Sequence, residues 1–218
     1  MIKNSVSDRN WILSKFDENK VKKATQELGL SEVLCRLLAI RNVEADQSLD
    51  FLNPKIKNSM PNPFLLKSMD EAVKLIIKHI KEESQICIYG DYDVDGASST
   101  SILARFLRNF TSNFFIFIPD RIQDGYGPNL KIFEDIASKG VKLIITVDCG
   151  TTSFEPIEYA KSKNIDVVVI DHHQSTETLP MANAIVNPNR FDETSNLTYL
   201  CAAGVAFLVL SGIVTRLR

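Results

Sequence analysis

Four runs of mostly apolar residues punctuate the chain: Ile86-Cys87-Ile88-Tyr89, Phe114-Phe115-Ile116-Phe117-Ile118, Leu143-Ile144-Ile145-Thr146-Val147 and Val167-Val168-Val169-Ile170. Short runs of β-favouring residues without polar alternation predict strands buried on both faces. Between them, apolar positions recur at helical spacing. The pattern predicts strands over 86–90, 114–118, 143–147 and 166–170, with helices over about 97–109, 131–139 and 153–163. A further helix precedes them, from Ser68-Met69-Asp70-Glu71 to about Glu83, where Ser68 and Glu71 have the spacing of a capping box. Ala184-Ile185-Val186 adds a short strand, and a last helix begins near Ala202. Repeated strand–helix units of this length predict an α/β fold, a parallel sheet flanked by helices.

The first sixty or so residues follow a different rhythm. Ser31 is placed to cap a short amphipathic helix over Glu32–Ile40, and a second helix over Asp46–Leu52 is stopped by Pro54. Pro61-Asn62-Pro63 makes a joint. The expected organisation is a small helical N-terminal segment, 1–62, followed by an α/β domain, 63–218.

Three of the predicted strands empty into acidic or imidazole side chains. The first opens into Gly90-Asp91-Tyr92-Asp93-Val94-Asp95-Gly96, the third into Asp148-Cys149-Gly150, the fourth into Asp171-His172-His173. In open parallel sheets, ligands bind outside the carboxyl ends of the strands, so these residues can converge. Read as extended chain, Asp93 and Asp95 point the same way, with Asp91 on the same face. Such a carboxylate cluster repels itself unless cations neutralise it. The D-x-D-x-D-G string also matches the start of an EF-hand loop, but position twelve is Ile102 and the preceding element is a strand, so that reading fails.

Oxygen and imidazole donors together suit Mn²⁺, Zn²⁺ or Fe²⁺. Asp93, Asp95, Asp148 and His172 are the candidate ligands, with Asp148 placed to bridge two ions. Two divalent ions about 3.5–4 Å apart clamp the attacking and leaving oxygens of a phosphoryl displacement. Asp171 can orient a ring N–H as an outer partner. Asp91 and His173 remain as catalytic candidates, His173 by touching phosphate or supplying a proton. Ser98 and Ser99, at an expected helix start, are candidate phosphate-binding residues.

Composition narrows this little. A hydrophobic content of 44% and charged content of 24% are those of an ordinary globular chain. No apolar run reaches membrane-span length, and Met1-Ile2-Lys3-Asn4-Ser5 does not open a signal peptide. The net charge of −2 neither supports nor excludes a nucleic-acid substrate. Lys20, Lys22 and Lys23, and the helically spaced Lys74, Lys78 and Lys81, read as solvated faces. Cys35, Cys87, Cys149 and Cys201 lack metal-finger spacing and read as reduced, buried thiols in a cytoplasmic protein.

Taken together, these motifs resemble the DHH phosphoesterase superfamily, and within it the RecJ-type single-stranded-DNA-specific exonucleases. The flanks are similar as well: Ile118-Pro119-Asp120-Arg121, Asp124-Gly125-Tyr126-Gly127, Ile185-Val186-Asn187-Pro188-Asn189 and Ala203-Gly204-Val205-Ala206-Phe207, with Phe51-Leu52-Asn53-Pro54 in the leader. The resemblance implies a DHH-type fold and 5′→3′ hydrolysis of single-stranded DNA with Mn²⁺ or Mg²⁺ in repair and recombination. It also implies single-strand-binding protein and a helicase as partners. Small-substrate relatives, the pyrophosphatases and dinucleotide phosphodiesterases, carry a His where this chain has Tyr89, which argues against those activities. A fourth acidic motif expected after Phe207 has no counterpart in Ser211-Gly212-Ile213-Val214-Thr215-Arg216. The chain is therefore expected to be the N-terminal part of a larger protein, and the alternative is an inactive remnant or partner-binding module of the same fold.

Overall fold

The computed structural model describes Arg9 and residues 12–218; the reading of Met1 to Ser5 lies outside them. The chain divides into two compact units, the first ending at Pro61 and the second running Asn62–Arg218.

In the first unit, α1 (Glu18–Leu28), α2 (Glu32–Ile40), α3 (Ala45–Leu52) and the single turn α4 (Ile56–Ser59) follow one another. The apolar faces of α1 and α2 close over a small core of Val21, Ala24 and Cys35. Ser31 caps α2 as expected, its hydroxyl accepting from Leu34 N at 3.4 Å. Helix α1, for which the sequence pattern predicts no boundaries, carries a signal at each end. Asp17 accepts from the amides of Asn19 and Lys20, and Gly29 ends the helix with φ 65°.

The second unit begins with a 3₁₀ turn (Pro63–Leu65) and α5 (Met69–Lys81). It continues through β1 (Ile86–Gly90), α6 (Val94–Leu107), β2 (Phe114–Phe117), α7 (Leu130–Ser138), β3 (Leu143–Val147), α8 (Phe154–Ser162), β4 (Asp166–Ile170), β5 (Ala184–Val186) and α9 (Ala202–Leu217). All four strand pairings are parallel, in the order β2-β1-β3-β4-β5. The expected parallel sheet flanked by helices is the observed fold. Cys87, Tyr89, Ile144, Val167, Val169 and Ile185 project to one face, where Phe133 and Ile136 of α7 and Ile157 of α8 cover them. Helices α5, α6 and α9 pack on the opposite face. Each fully buried aliphatic side chain in these layers contributes roughly 1.5–3 kcal/mol. Chain direction across the sheet reverses between β1 and β3, which marks the crevice where such folds bind ligands.

Two local expectations are corrected. Ser68 does not cap α5: it sits in the left-handed region (φ 58°), and no side-chain cap bond is made. Its hydroxyl instead accepts from Arg190 Nη1 at 3.0 Å. Helix α6 starts at Val94 rather than 97, because Asp93 is its N-cap, the carboxylate accepting from Gly96 N at 2.9 Å. Asp is among the best N-cap residues and acidic groups favour a helix start, so the signal lay within the motif itself. Of the thiols, Cys35, Cys87 and Cys149 are buried and Cys201 is exposed; all four are free.

Candidate metal centre

The exits of β1, β3 and β4 bring their polar residues to one place. One carboxylate oxygen from each of Asp91, Asp93 and Asp148 lies within 4.8 Å of the others, and so does one donor atom from each of Asp148, His172 and His173. Asp148 belongs to both groups.

Helix α6 places the first carboxylates. Because Val94 already lies in the helix, Asp91, Asp93 and Asp95 are not an extended ladder. Asp91 ends the strand exit and is buried, Asp93 is the exposed cap, and Asp95 is in the first turn. A Cβ on Gly96 would stand 2.5 Å from Asp91 O, so only glycine lets this turn close against the Asp91 backbone. Asp95 leans the other way. Its two oxygens accept from Ala202 N (2.8 Å) and Ala203 N (2.9 Å), capping α9, whose own N-cap Cys201 offers no side-chain bond.

The β3 exit aims Asp148 by an unusual backbone. Asp148 has φ 62° and Gly150 φ 111°, and a Cβ on Gly150 would meet Thr146 Oγ1 at 2.6 Å. The Asp148 side chain is buried, and its Oδ1 has no hydrogen-bond partner. Burial, then the nearby Asp95 and Asp93 carboxylates, push its pKa up to about 8. Burial also raises Asp91, whereas the Gly96 amide holds Asp93 below the usual carboxylate range. A buried carboxylate oxygen that makes no hydrogen bond, among other carboxylates, fits a role as a cation ligand.

The two histidines are positioned differently. His172 Nε2 faces Asp148 Oδ1 at 3.3 Å and Asp95 Oδ2 at 3.6 Å. His173 has its Nδ1 4.0 Å from Asp148 Oδ1 but bonded to Asp171 Oδ1, at 2.8 Å. Asp171 therefore orients the ring of His173, not that of the ligand candidate His172. Its carboxylate also accepts from the amides of His172 (2.7 Å), His173 (3.2 Å) and Thr151 (3.0 Å). Burial opposes the charge on Asp171, but these donors prevail and hold its pKa at about 2. The Asp171 bond in turn raises His173 to about 9.

The expected serines do not face the centre as helix-start donors. With α6 beginning at Val94, their amides fall inside the helix. Ser99 is fully buried, its hydroxyl donated to Asp95 O at 2.6 Å. Tyr126, in the Asp124-Gly125-Tyr126-Gly127 motif, is a site residue that sequence reasoning misses. Its hydroxyl lies 3.4 Å from His173 Nε2 and its ring stands edge-on to that of Tyr92. Tyr126, Gly150, Phe154 and His173 line a cavity of about 540 Å³ beside the centre. Tyr89, at the position of the small-substrate His, is buried in the core and donates to Gly127 O at 2.8 Å.

The family model described as "DHH family, N-terminal domain" matches residues 85–217. The single-stranded-DNA-specific exonuclease RecJ of Bacillus subtilis is 35% identical over 212 residues, 97% of this chain and 27% of that protein. The enzyme of the same name from Escherichia coli is 36% identical over 190 residues, 87% of this chain and 32% of its own length. The crystal structure of RecJ from Thermus thermophilus in complex with Mn²⁺ superposes with TM-score 0.74 at 26% identity, covering 94% of this chain and 28% of that one. A structure of exonuclease RecJ bound to manganese gives TM-score 0.64 at 32% identity, covering 70% and 38%. This chain thus spans about a third or less of the curated relatives it matches. Motifs at three strand exits, the sheet order and the family model all agree: the chain belongs to the DHH family.

Proposed function

We propose that this chain carries the metal-binding part of a single-stranded-DNA exonuclease, hydrolysing phosphodiester bonds with two divalent ions, Mn²⁺ or Mg²⁺. The observation that carries the reading is the position of Asp148. Its buried carboxylate stands in both donor groups and has an oxygen with no hydrogen-bond partner. Asp91, Asp93 and Asp148 would hold one ion; Asp148 and His172, with Asp95 alongside, would hold the other. Bound there, such ions polarise a phosphoryl oxygen and lower the pKa of an attacking water.

The chain's own residues support the remaining steps. Asp171 accepts the Nδ1–H of His173, which orients the ring and favours its protonated form. The Nε2–H is then a donor for a phosphate oxygen or for the departing ester oxygen. The neighbouring cavity, about 540 Å³, supports room for a nucleotide unit. The names of the RecJ relatives support single-stranded DNA as substrate. By the same resemblance we extend the reading to 5′→3′ digestion in DNA repair and recombination, with single-strand-binding protein and a helicase as partners. The four free thiols are in keeping with a cytoplasmic setting. Among the described residues, no helix is long and apolar enough to cross a membrane.

The test is nucleotide release from a 5′-labelled single-stranded oligonucleotide with Mn²⁺, comparing the chain with Asp148→Ala. Activity that falls to background in the variant is the expected result. Activity retained by Asp148→Ala removes that residue from the centre. Hydrolysis of pyrophosphate or a dinucleotide, with none of longer strands, overturns the substrate. A folded chain that binds Mn²⁺ but releases nothing is a binding module.

A further inference from the structure

We infer that Asn187 and Asn189, from the exit of β5, are positioning residues of the metal centre, clamping the backbone of His172 and His173; the inference rests on the proposed metal-binding role. His172 and His173 lie on irregular chain after β4, so neither helix nor sheet fixes their carbonyls. Asparagine side chains do so instead. Asn187 is fully buried, and its Nδ2 donates to His173 O at 2.9 Å and to Thr151 Oγ1 at 2.8 Å. Its Oδ1 accepts from Asn189 N at 2.7 Å. Asn189 Nδ2 then donates to His172 O at 2.5 Å.

The orientation of the Asn187 amide follows from its neighbours. A carbonyl can only accept and a backbone N–H can only donate, so Nδ2 must face His173 and Oδ1 must face Asn189. Two further bonds close the lattice: Asp171 N donates to Val186 O at 3.1 Å, and Thr151 N to Asp171 Oδ2 at 3.0 Å. The exits of β3, β4 and β5 are thereby laced together around one side chain. Pro188, between the two asparagines, has no N–H to satisfy and holds its φ without help.

The position demands an amide. Two donors and one acceptor are used at once in a site with no exposure. Aspartate would set a lone pair against His173 O, glutamine is one methylene too long for the space, and leucine keeps the volume but makes none of the bonds. Metal–ligand distances hold to within about 0.2 Å of their standard values, and loss of a residue that orients ligands typically weakens metal affinity about 10–100-fold.

The experiment is Mn²⁺ titration, followed by the electron paramagnetic resonance of the free ion, on the chain, Asn187→Leu, Asn189→Ala and Asp148→Asn. Cooperative unfolding in EDTA identifies the folded variants. Asn187→Leu should weaken Mn²⁺ binding about 10–100-fold and Asn189→Ala about 10-fold. The Nδ1–H proton resonance of His173, measured without metal, should shift or disappear in Asn187→Leu. If Asn187→Leu does not fold, the half-buried Asn189 carries the comparison through Asn189→Ala. Folded variants binding Mn²⁺ within twofold of the parent, while Asp148→Asn loses it, overturn the clamp. If Asp148→Asn also binds like the parent, the metal-centre reading has failed instead. The clamp is then judged by the His173 resonance alone, and an unchanged signal in the folded variants overturns it.

Discussion

Substituting Gly96 by alanine tests how the metal centre is built. On helix propensity alone the change should stabilise α6 by about 1 kcal/mol. The structure opposes this. The added Cβ would lie 2.5 Å from Asp91 O, 2.6 Å from Asp91 Cβ and 2.7 Å from Asp91 C, all of which move only with the backbone or with the Asp91 carboxylate. Restoring ordinary contact needs a separation of about 0.8 Å between the first turn of α6 and the end of β1. Overpacking of this kind costs about 1–3 kcal/mol, toward the upper end where no side chain can rotate away. The net expectation is a loss of about 1–2 kcal/mol, or a melting temperature lower by about 2–8 °C for a chain of this size. The same displacement moves Asp91 and Asp93 apart by several times the spread of about 0.2 Å in metal–ligand distances, so Mn²⁺ affinity should fall at least about tenfold. Gly204→Ala is the control. There the Cβ meets only the flexible side chain of Leu200, at 3.2 Å, and stability should be unchanged or higher by up to about 1 kcal/mol. Thermal unfolding by circular dichroism, in EDTA and in Mn²⁺, reads both effects. A Gly96→Ala protein as stable as the parent, with Mn²⁺ binding within twofold, would refute the close-approach argument.

Three further outcomes are expected. Without metal, Asp148 has a folded-state pKa of about 8, above its unfolded value, so the folded chain binds the extra proton and loses stability as pH rises from about 4 through 8. His173, raised to about 9, stabilises below about 6.5 and loses that contribution as pH rises through 9, while Asp171, held at about 2, stabilises until pH falls through that value. Urea midpoints in EDTA should therefore drop between pH 5 and 8.5, and the gain on adding Mn²⁺ should grow over that range; a flat or rising metal-free profile contradicts the assignment. Asp171→Asn should let the titration midpoint of His173 fall from about 9 toward the ordinary value near 6.5, read by NMR of the ring protons; an unmoved midpoint would show that another group holds the charge. Tyr89→Phe removes a buried hydroxyl that donates to Gly127 O, and should cost about 1–2 kcal/mol in urea unfolding with Mn²⁺ affinity intact. Loss of metal binding in that variant would place Tyr89 in the centre after all.

The order of elements and the chemistry at their ends were legible in the linear sequence for a local reason. A strand buried on both faces must be apolar at nearly every position, as Val167–Ile170 is and as Leu143–Val147 is but for Thr146, so burial writes itself into neighbouring residues. Asp148 and His172 could be singled out because a carboxylate or imidazole directly after such a strand has few structural uses. The assignment of individual hydrogen bonds was not legible, because it depends on which distant segments meet. Asp93 and Asp95 were read as equivalent by their spacing, yet one caps α6 and the other caps α9, 107 residues further on. Ser68 had the form of a cap, but its left-handed backbone turned the hydroxyl to Arg190. The sequence reads Asp171 as the outer partner of the ligand candidate His172, but the loop after β4 places His173 Nδ1 against it. Asn187 carried no periodic signal at all, because its importance lies in three partners contributed by three different strand exits. Hydrophobic burial is averaged over many contacts and survives in local pattern; a directional bond needs both atoms in place, and only the folded chain puts them there.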